Sequence, residues 1–207
     1  MRANLPCMFL FSALTTLAAT STATAQQNAS LYTSVAAKNC KKIESVKVEG
    51  SEFGATFACR GLPGYSVVVG EDDLRMTVAI GFNTKHAQEQ VSATQGFSPF
   101  NHAHDTLEWR IDAKTKKPFA TIQRWFIADN ADLEKNGRPK NVGLLVVTRT
   151  PPGASCHVAY IDVRANQNPN ELAQKAADEL AQKFDCGNDK VHFIGNKGRA
   201  AELAGMK

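Results

Sequence analysis

The stretch 156–184, CHVAYIDVRANQNPNELAQKAADELAQKF, decides the fold. Its first part, Cys156 to Val163, reads as a strand. The part from Asn168 to Phe184 reads as a helix: Asn168 stands at the cap, Pro169 in the first turn, Glu171 at the far end of a capping box, and Gly187 just past the end. Leu172, Ala176, Leu180 and Phe184 recur at helical spacing as an apolar stripe, and Ala173, Ala177 and Ala181 beside it are small enough to let the helix lie close on a sheet. The strand rises about 26 Å and the helix about 25 Å, so a helix folded back along its own strand returns Cys186 to Cys156. A strand covered by its own helix, with a sulfur pair to close the unit, is the seed of the molecule.

Outward from that seed the chain alternates with period two. Leu74, Met76, Val78, Ile80 and Phe82 share one face of a strand, and Leu107, Trp109 and Ile111 share a face of another. Further strands are expected at Tyr65 to Glu71, Phe119 to Ala128 and Val142 to Thr150, with turn chemistry at Asn136-Gly137 and Pro151-Pro152-Gly153 between them. Ile43 to Glu49 and Ala55 to Arg60 read as a hairpin through Gly50 and Gly54, which carries Cys59 back to Cys40. A second helix is expected from Thr33 to Cys40, and a long polar loop from Asn83 to Asp105. The fold class is therefore α+β: a mainly antiparallel β-meander sheet with one long C-terminal helix packed on one face and two disulfides, Cys40 with Cys59 and Cys156 with Cys186. Closing loops of roughly 20 and 30 residues stabilises a domain by about 3 to 4 kcal/mol each on the chain-entropy model.

The first 25 residues hold no Asp or Glu, one Arg2, and an apolar stretch from Met8 to Ala19 ending in Ala23, Thr24, Ala25. This predicts a signal peptide, 1–25, cut before Gln26 and followed by a single globular domain, 26–207. The apolar stretch is far shorter than the ~20 residues of a membrane-spanning helix, so no membrane insertion is expected once the signal is removed. Cys7 leaves with the signal, and four cysteines remain for an oxidising compartment, periplasmic or secreted. No Cys-x-x-Cys is present to make them a redox pair. Of 207 residues 43% are hydrophobic and 21% charged, and the net charge of +4 falls to +3 without Arg2. That balance is too small to call for nucleic acid, and the densest basic group, Lys114, Lys116 and Lys117, reads as a solvated hairpin tip.

No Gly-x-Ser-x-Gly elbow, His-Glu-x-x-His helix, Walker loop or dinucleotide fingerprint occurs, so no catalytic residue and no cofactor is assigned. His86, His102, His104 and Asp105 are too loosely patterned to specify a metal. The acidic run from Asp132 opens like a calcium loop but has Gly143 where the bidentate Glu belongs. Arg124 sits among apolar strand residues and needs an anion or a carboxylate, for which Glu108, Asp129 and Asp162 are internal candidates. With Arg110 and Arg149 on other strands, an arginine-lined cleft flanked by Trp109 and Trp125 is a candidate site for a small anionic or sugar-like ligand. Phe97 and Phe100, set in the polar loop, are a candidate contact for a protein partner of the cell envelope.

Four segments, Gly61-Leu62-Pro63-Gly64-Tyr65, Gln123 to Asp129, Cys156 to Asp162 and Asp185-Cys186-Gly187, together resemble a family of exported bacterial proteins of unknown function. The resemblance implies export to an envelope compartment and implies no activity, ligand or catalytic residue. The expected function is that of a soluble periplasmic accessory or binding protein. The alternatives are a small envelope hydrolase built on His157, Asp162 or the loop histidines, and an inhibitor of a cell-wall-degrading enzyme.

Overall fold

The computed structural model describes residues 27–43 and 54–206. The signal peptide 1–25 and most of the expected strand Ile43 to Glu49 lie outside the described residues. The elements are strands β1 (Ala29–Ser34), β2 (Lys41–Ile43), β3 (Ala55–Arg60), β4 (Ser66–Asp72), β5 (Arg75–Gly81), β6 (Asn101–Ile111), β7 (Pro118–Leu133), β8 (Pro139–Arg149), β9 (His157–Asp162) and β10 (His192–Phe193). The helices are α1 (Thr84–Gln88), α2 (Pro169–Leu180) and α3 (Arg199–Leu203).

The strands make two sheets, a six-stranded one in the order β1-β6-β7-β8-β9-β10 and a four-stranded one in the order β2-β3-β4-β5. Every pairing is antiparallel except that of β10 with β9. The two sheets face each other across one core. Val67, Val69, Val78 and Ile80 of the smaller sheet meet Leu107, Trp109, Trp125, Ile127, Leu144 and Val146 of the larger. Period-two alternation sends the remaining side chains of β7, β8 and β9 to the other face, where Ile122, Leu145, Val147, Ala159 and Ile161 pack under α2. The long C-terminal helix is thus the lid over the larger sheet, and both disulfides form as paired above.

The helix buries Ala176 and Phe184 of the expected stripe together with the close-approach alanines beside it, and differs from expectation only at the two leucines. Ala173, Ala176, Ala177 and Ala181 are buried, while Leu172 and Leu180 are only partly covered. The alanine face wins because it lets the helix axis approach the strands closely, and the leucines then pack along its flanks. The Asn168 side chain, expected at the cap, does not cap the helix; its amide donates to Glu171 Oε2 at 3.2 Å instead.

Three further expectations are corrected. Thr33 to Cys40 is not a helix: its first residues end β1, paired with β6, and Ala37–Asn39 makes one 3-10 turn before β2. The tertiary partner overrides the local preference. Asn83 to Asp105 is not one loop but contains α1, a 3-10 turn at Val91–Ala93 and the start of β6, so His102 and His104 stand on a strand. Leu74 is not in β5; Asp73 and Leu74 both have positive φ in the tight turn between β4 and β5, and Leu74 is exposed.

Candidate functional site

The turn after β3 builds a pocket of about 700 Å³. Leu62 accepts from the Tyr65 amide at 2.8 Å, and Gly61 N donates to Tyr65 O at 3.2 Å. Pro63 and Gly64 occupy the two central positions, and Gly64 has φ +83°, the left-handed conformation that a type II turn requires there. Gly61 is required for a different reason: a Cβ there would stand 2.9 Å from Trp109 Cζ2 and 2.9 Å from Tyr65 O. The backbone therefore lies directly on the indole edge. Trp109 is held in place by its Nε1, which donates to Thr33 Oγ1 at 2.8 Å.

The pocket wall consists of this turn together with Thr33, the β3 end from Ala58 to Arg60, Ser66 and Thr84. Tyr65 packs edge-on to Trp109 at 5.7 Å and lies 5.5 Å from Phe82, which in turn stacks on His86 at 5.3 Å. The Tyr65 hydroxyl donates to Pro151 O at 3.3 Å, and burial raises its pKa above the ordinary tyrosine value. Arg60 is exposed and is the one charged residue of the wall; it forms no ion pair among the described residues. Cys59 is oxidised to Cys40. The wall thus offers a cation, hydroxyls, backbone and an aromatic ring, but no carboxylate, imidazole or thiol to move a proton.

The expected arginine cleft is not assembled. Trp109 and Trp125 are fully buried between the sheets, whereas Arg110 and Arg124, each one residue away, project to the opposite face of the same strands. Arg110 is buried under α2 and holds Asp178 with two bonds of 3.0 and 2.7 Å, with Ser30 Oγ at 2.6 Å completing its fork. Arg124 reaches Asn170 at 3.4 Å. Arg149 is committed to the carbonyls of Pro152 and Ala154 and lines a smaller pocket of about 290 Å³ with Lys117 and Gln182. Of the three carboxylates considered as internal partners for Arg124, Glu108 accepts from Ser30 and Gln174, Asp129 pairs with Arg199, and Asp162 binds backbone amides.

Phe97 is likewise corrected as a contact residue. It is 5% exposed and packs edge-on against Trp125 at 5.2 Å and Tyr160 at 5.4 Å, pinning the chain to the core. Phe100 stays at the surface with the Arg75 guanidinium 4.9 Å from its ring centre.

His157 and Asp162 do not converge on a nucleophile. His157 is sealed in the core, its Nδ1 bonded to the Tyr160 hydroxyl at 2.8 Å, and burial lowers its pKa to about 3. Burial also drives the Tyr160 phenol far above the ordinary tyrosine value. Asp162 accepts from the amides of Arg164, Ala165 and Ala200. His86 accepts from the Phe82 amide and His104 from the Thr106 amide, while His102 stacks on Phe126. Among the described residues no three His, Cys, Asp or Glu side chains are grouped as a metal ion requires. No described helix is long and apolar enough to cross a membrane.

Sequence reasoning passed over Arg60, Tyr65, Thr33, Ser66 and Thr84 as site residues. The available signal was the Pro63-Gly64 turn, which folds the backbone between β3 and β4 into the pocket wall beside Arg60. Against known proteins, no family model, no curated protein and no solved structure matches the chain.

Proposed function

We propose that the chain is an exported binding protein of the cell envelope that takes a small anionic ligand in the pocket beside Arg60. The observation that carries this reading is the composition of the wall: one guanidinium, three hydroxyl side chains, a tyrosine ring and no carboxylate. An anion entering it meets a single positive charge and no negative one, while Tyr65 supplies a flat apolar surface for the rest of the ligand. A volume near 700 Å³ suits a ligand of ordinary metabolite size. A hydrolytic reading lacks a base or nucleophile in the same wall. Two disulfides and the leader-like first 25 residues support export.

Trp109 makes the pocket measurable, because its edge lies under Gly61 while Trp125 is remote from the wall. In a Trp125→Phe background, titration with acetate, benzoate and inorganic phosphate is expected to give a saturable change in indole emission with at least one of them. Arg60→Gln is expected to weaken that binding by about tenfold, the loss of one charge-assisted contact. Emission indifferent to all three anions, or unaffected by the substitution, overturns the reading.

A further inference from the structure

Thr33, in the pocket wall, belongs to β1, and β1 is the outermost strand of the larger sheet. From this continuity, and resting on the anion site proposed above, we propose that the ligand is the carboxylate of an extended acidic peptide that adds as a further strand to the free edge of β1.

The edge is prepared for such a partner. Ala29 to Ser34 pairs with Thr106 to Ile111 in unbroken antiparallel register, and among the described residues no strand pairs with its other side. Alternate residues therefore turn their N–H and C=O groups outward. Proteins ordinarily guard such an edge with lysine, proline, a bulge or a covering segment. The sequence Ala-Ser-Leu-Tyr-Thr-Ser carries no charge and no proline, and its pairing has no bulge.

Both faces of β1 also carry exposed apolar surface at the middle of the strand, Leu31 at 49% and Tyr32 at 60%. A neighbouring strand would lie about 4.8 Å away and cover both with its own alternate side chains. Charge does not oppose it. Arg110 and Glu108, which flank β1 on the outer face, are already matched by Asp178, Ser30 and Gln174.

Charge also chooses the occupant. Leu31 and Thr33 share one face of β1, so a peptide running along the edge carries its inward side chains toward the pocket mouth one pleat at a time. There the guanidinium of Arg60 meets a carboxylate. A second copy of β1 would bring only alanine, serine, threonine, leucine and tyrosine to that position and leave Arg60 unmatched.

The probe is a hexapeptide, Thr-Val-Thr-Val-Thr-Glu, with a free C-terminus and an uncharged BODIPY label on its N-terminus, followed by fluorescence anisotropy. Two versions are N-methylated on one or the other alternate set of amides, and a third is neutral, with Gln and a C-terminal amide. The full chain is expected to bind the parent peptide, to lose at least about tenfold with one of the two methylated sets, and to protect the amides of residues 29–34 from hydrogen exchange. The neutral peptide and Arg60→Gln are each expected to weaken binding by about tenfold and, combined, to weaken it no further. Binding untouched by both methylation patterns overturns strand addition and leaves the anion pocket standing. Sensitivity to methylation without sensitivity to the carboxylate or Arg60 overturns the carboxylate pairing proposed here, while the anion site stands or falls by the indole titration above. No binding at millimolar peptide, or sedimentation showing that the edge is occupied by a second copy, also overturns the proposal.

Discussion

His157 is a base that the native state keeps neutral, and its pH signature follows from that. In the core its pKa is about 3 against 6.5 for a free imidazole. Between those values the unfolded chain binds a proton that the folded chain refuses, so this contribution to stability is complete above about pH 6.5 and is lost as the pH falls toward 3, by at most about 1.4 kcal/mol per pH unit. Urea midpoints measured at pH 7, 6 and 5 are expected to fall along that slope, and His157→Gln is expected to flatten it. A second residue carries the opposite expectation. Thr150 is 2% exposed and its buried Oγ1 has no hydrogen-bond partner among the described residues, so Thr150→Val, nearly the same shape without the stranded hydroxyl, should raise stability by about 1 kcal/mol in the same titration. Neither environment is legible in the sequence. A histidine and a threonine near strand ends look alike whether they face water or core, and only the packing of Phe97 and Trp125 from distant segments decides it for His157.

The sheet-facing side of α2 belongs to the scale of elements. Helical periodicity identifies a helix at 168–184 without difficulty, yet it does not say whether the helix rests on Leu172 and Leu180 or on the alanines beside them. Choosing between them requires knowing how close the helix lies to the strands beneath. Since Ala176 and Ala177 sit at that contact, Ala177→Leu is expected to force the elements apart and cost about 1 to 3 kcal/mol, whereas Leu172→Ala on the flank should cost less; thermal unfolding compares them. Arg110 and Asp178 tie the same helix to β6, with side-chain exposures of 7% and 30%. Asp178→Asn leaves the guanidinium buried without its counter-ion, a loss on the order of 2 kcal/mol once partial solvent access is allowed for. The strands themselves are mostly legible through alternation, whereas β10 and α3 are too short to show any period.

At the scale of the molecule, the second sheet is what the sequence could not announce. Each meander alternates correctly by itself, but alternation does not say whether two meanders join at their edges or stack face to face. Trp109 and Trp125, fully buried where the sheets meet, settle it in favour of stacking. Each disulfide then serves its own layer: Cys40–Cys59 anchors β2 to the smaller sheet, and Cys156–Cys186 anchors the end of α2 to the larger. Replacing either pair by serine is expected to remove about 3 to 4 kcal/mol, read as a lowered denaturation midpoint. The short helix α3 completes the larger layer. Arg199 grips Asp129 with two bonds of 2.7 Å, the Ala200 amide donates to Asp162 at 2.9 Å, and Ala200 joins the core. A chain that stops short of Arg199 therefore leaves Asp129 without its guanidinium, Asp162 without one of its three amide donors and the core without Ala200, so the last residues made are the ones that close the larger layer.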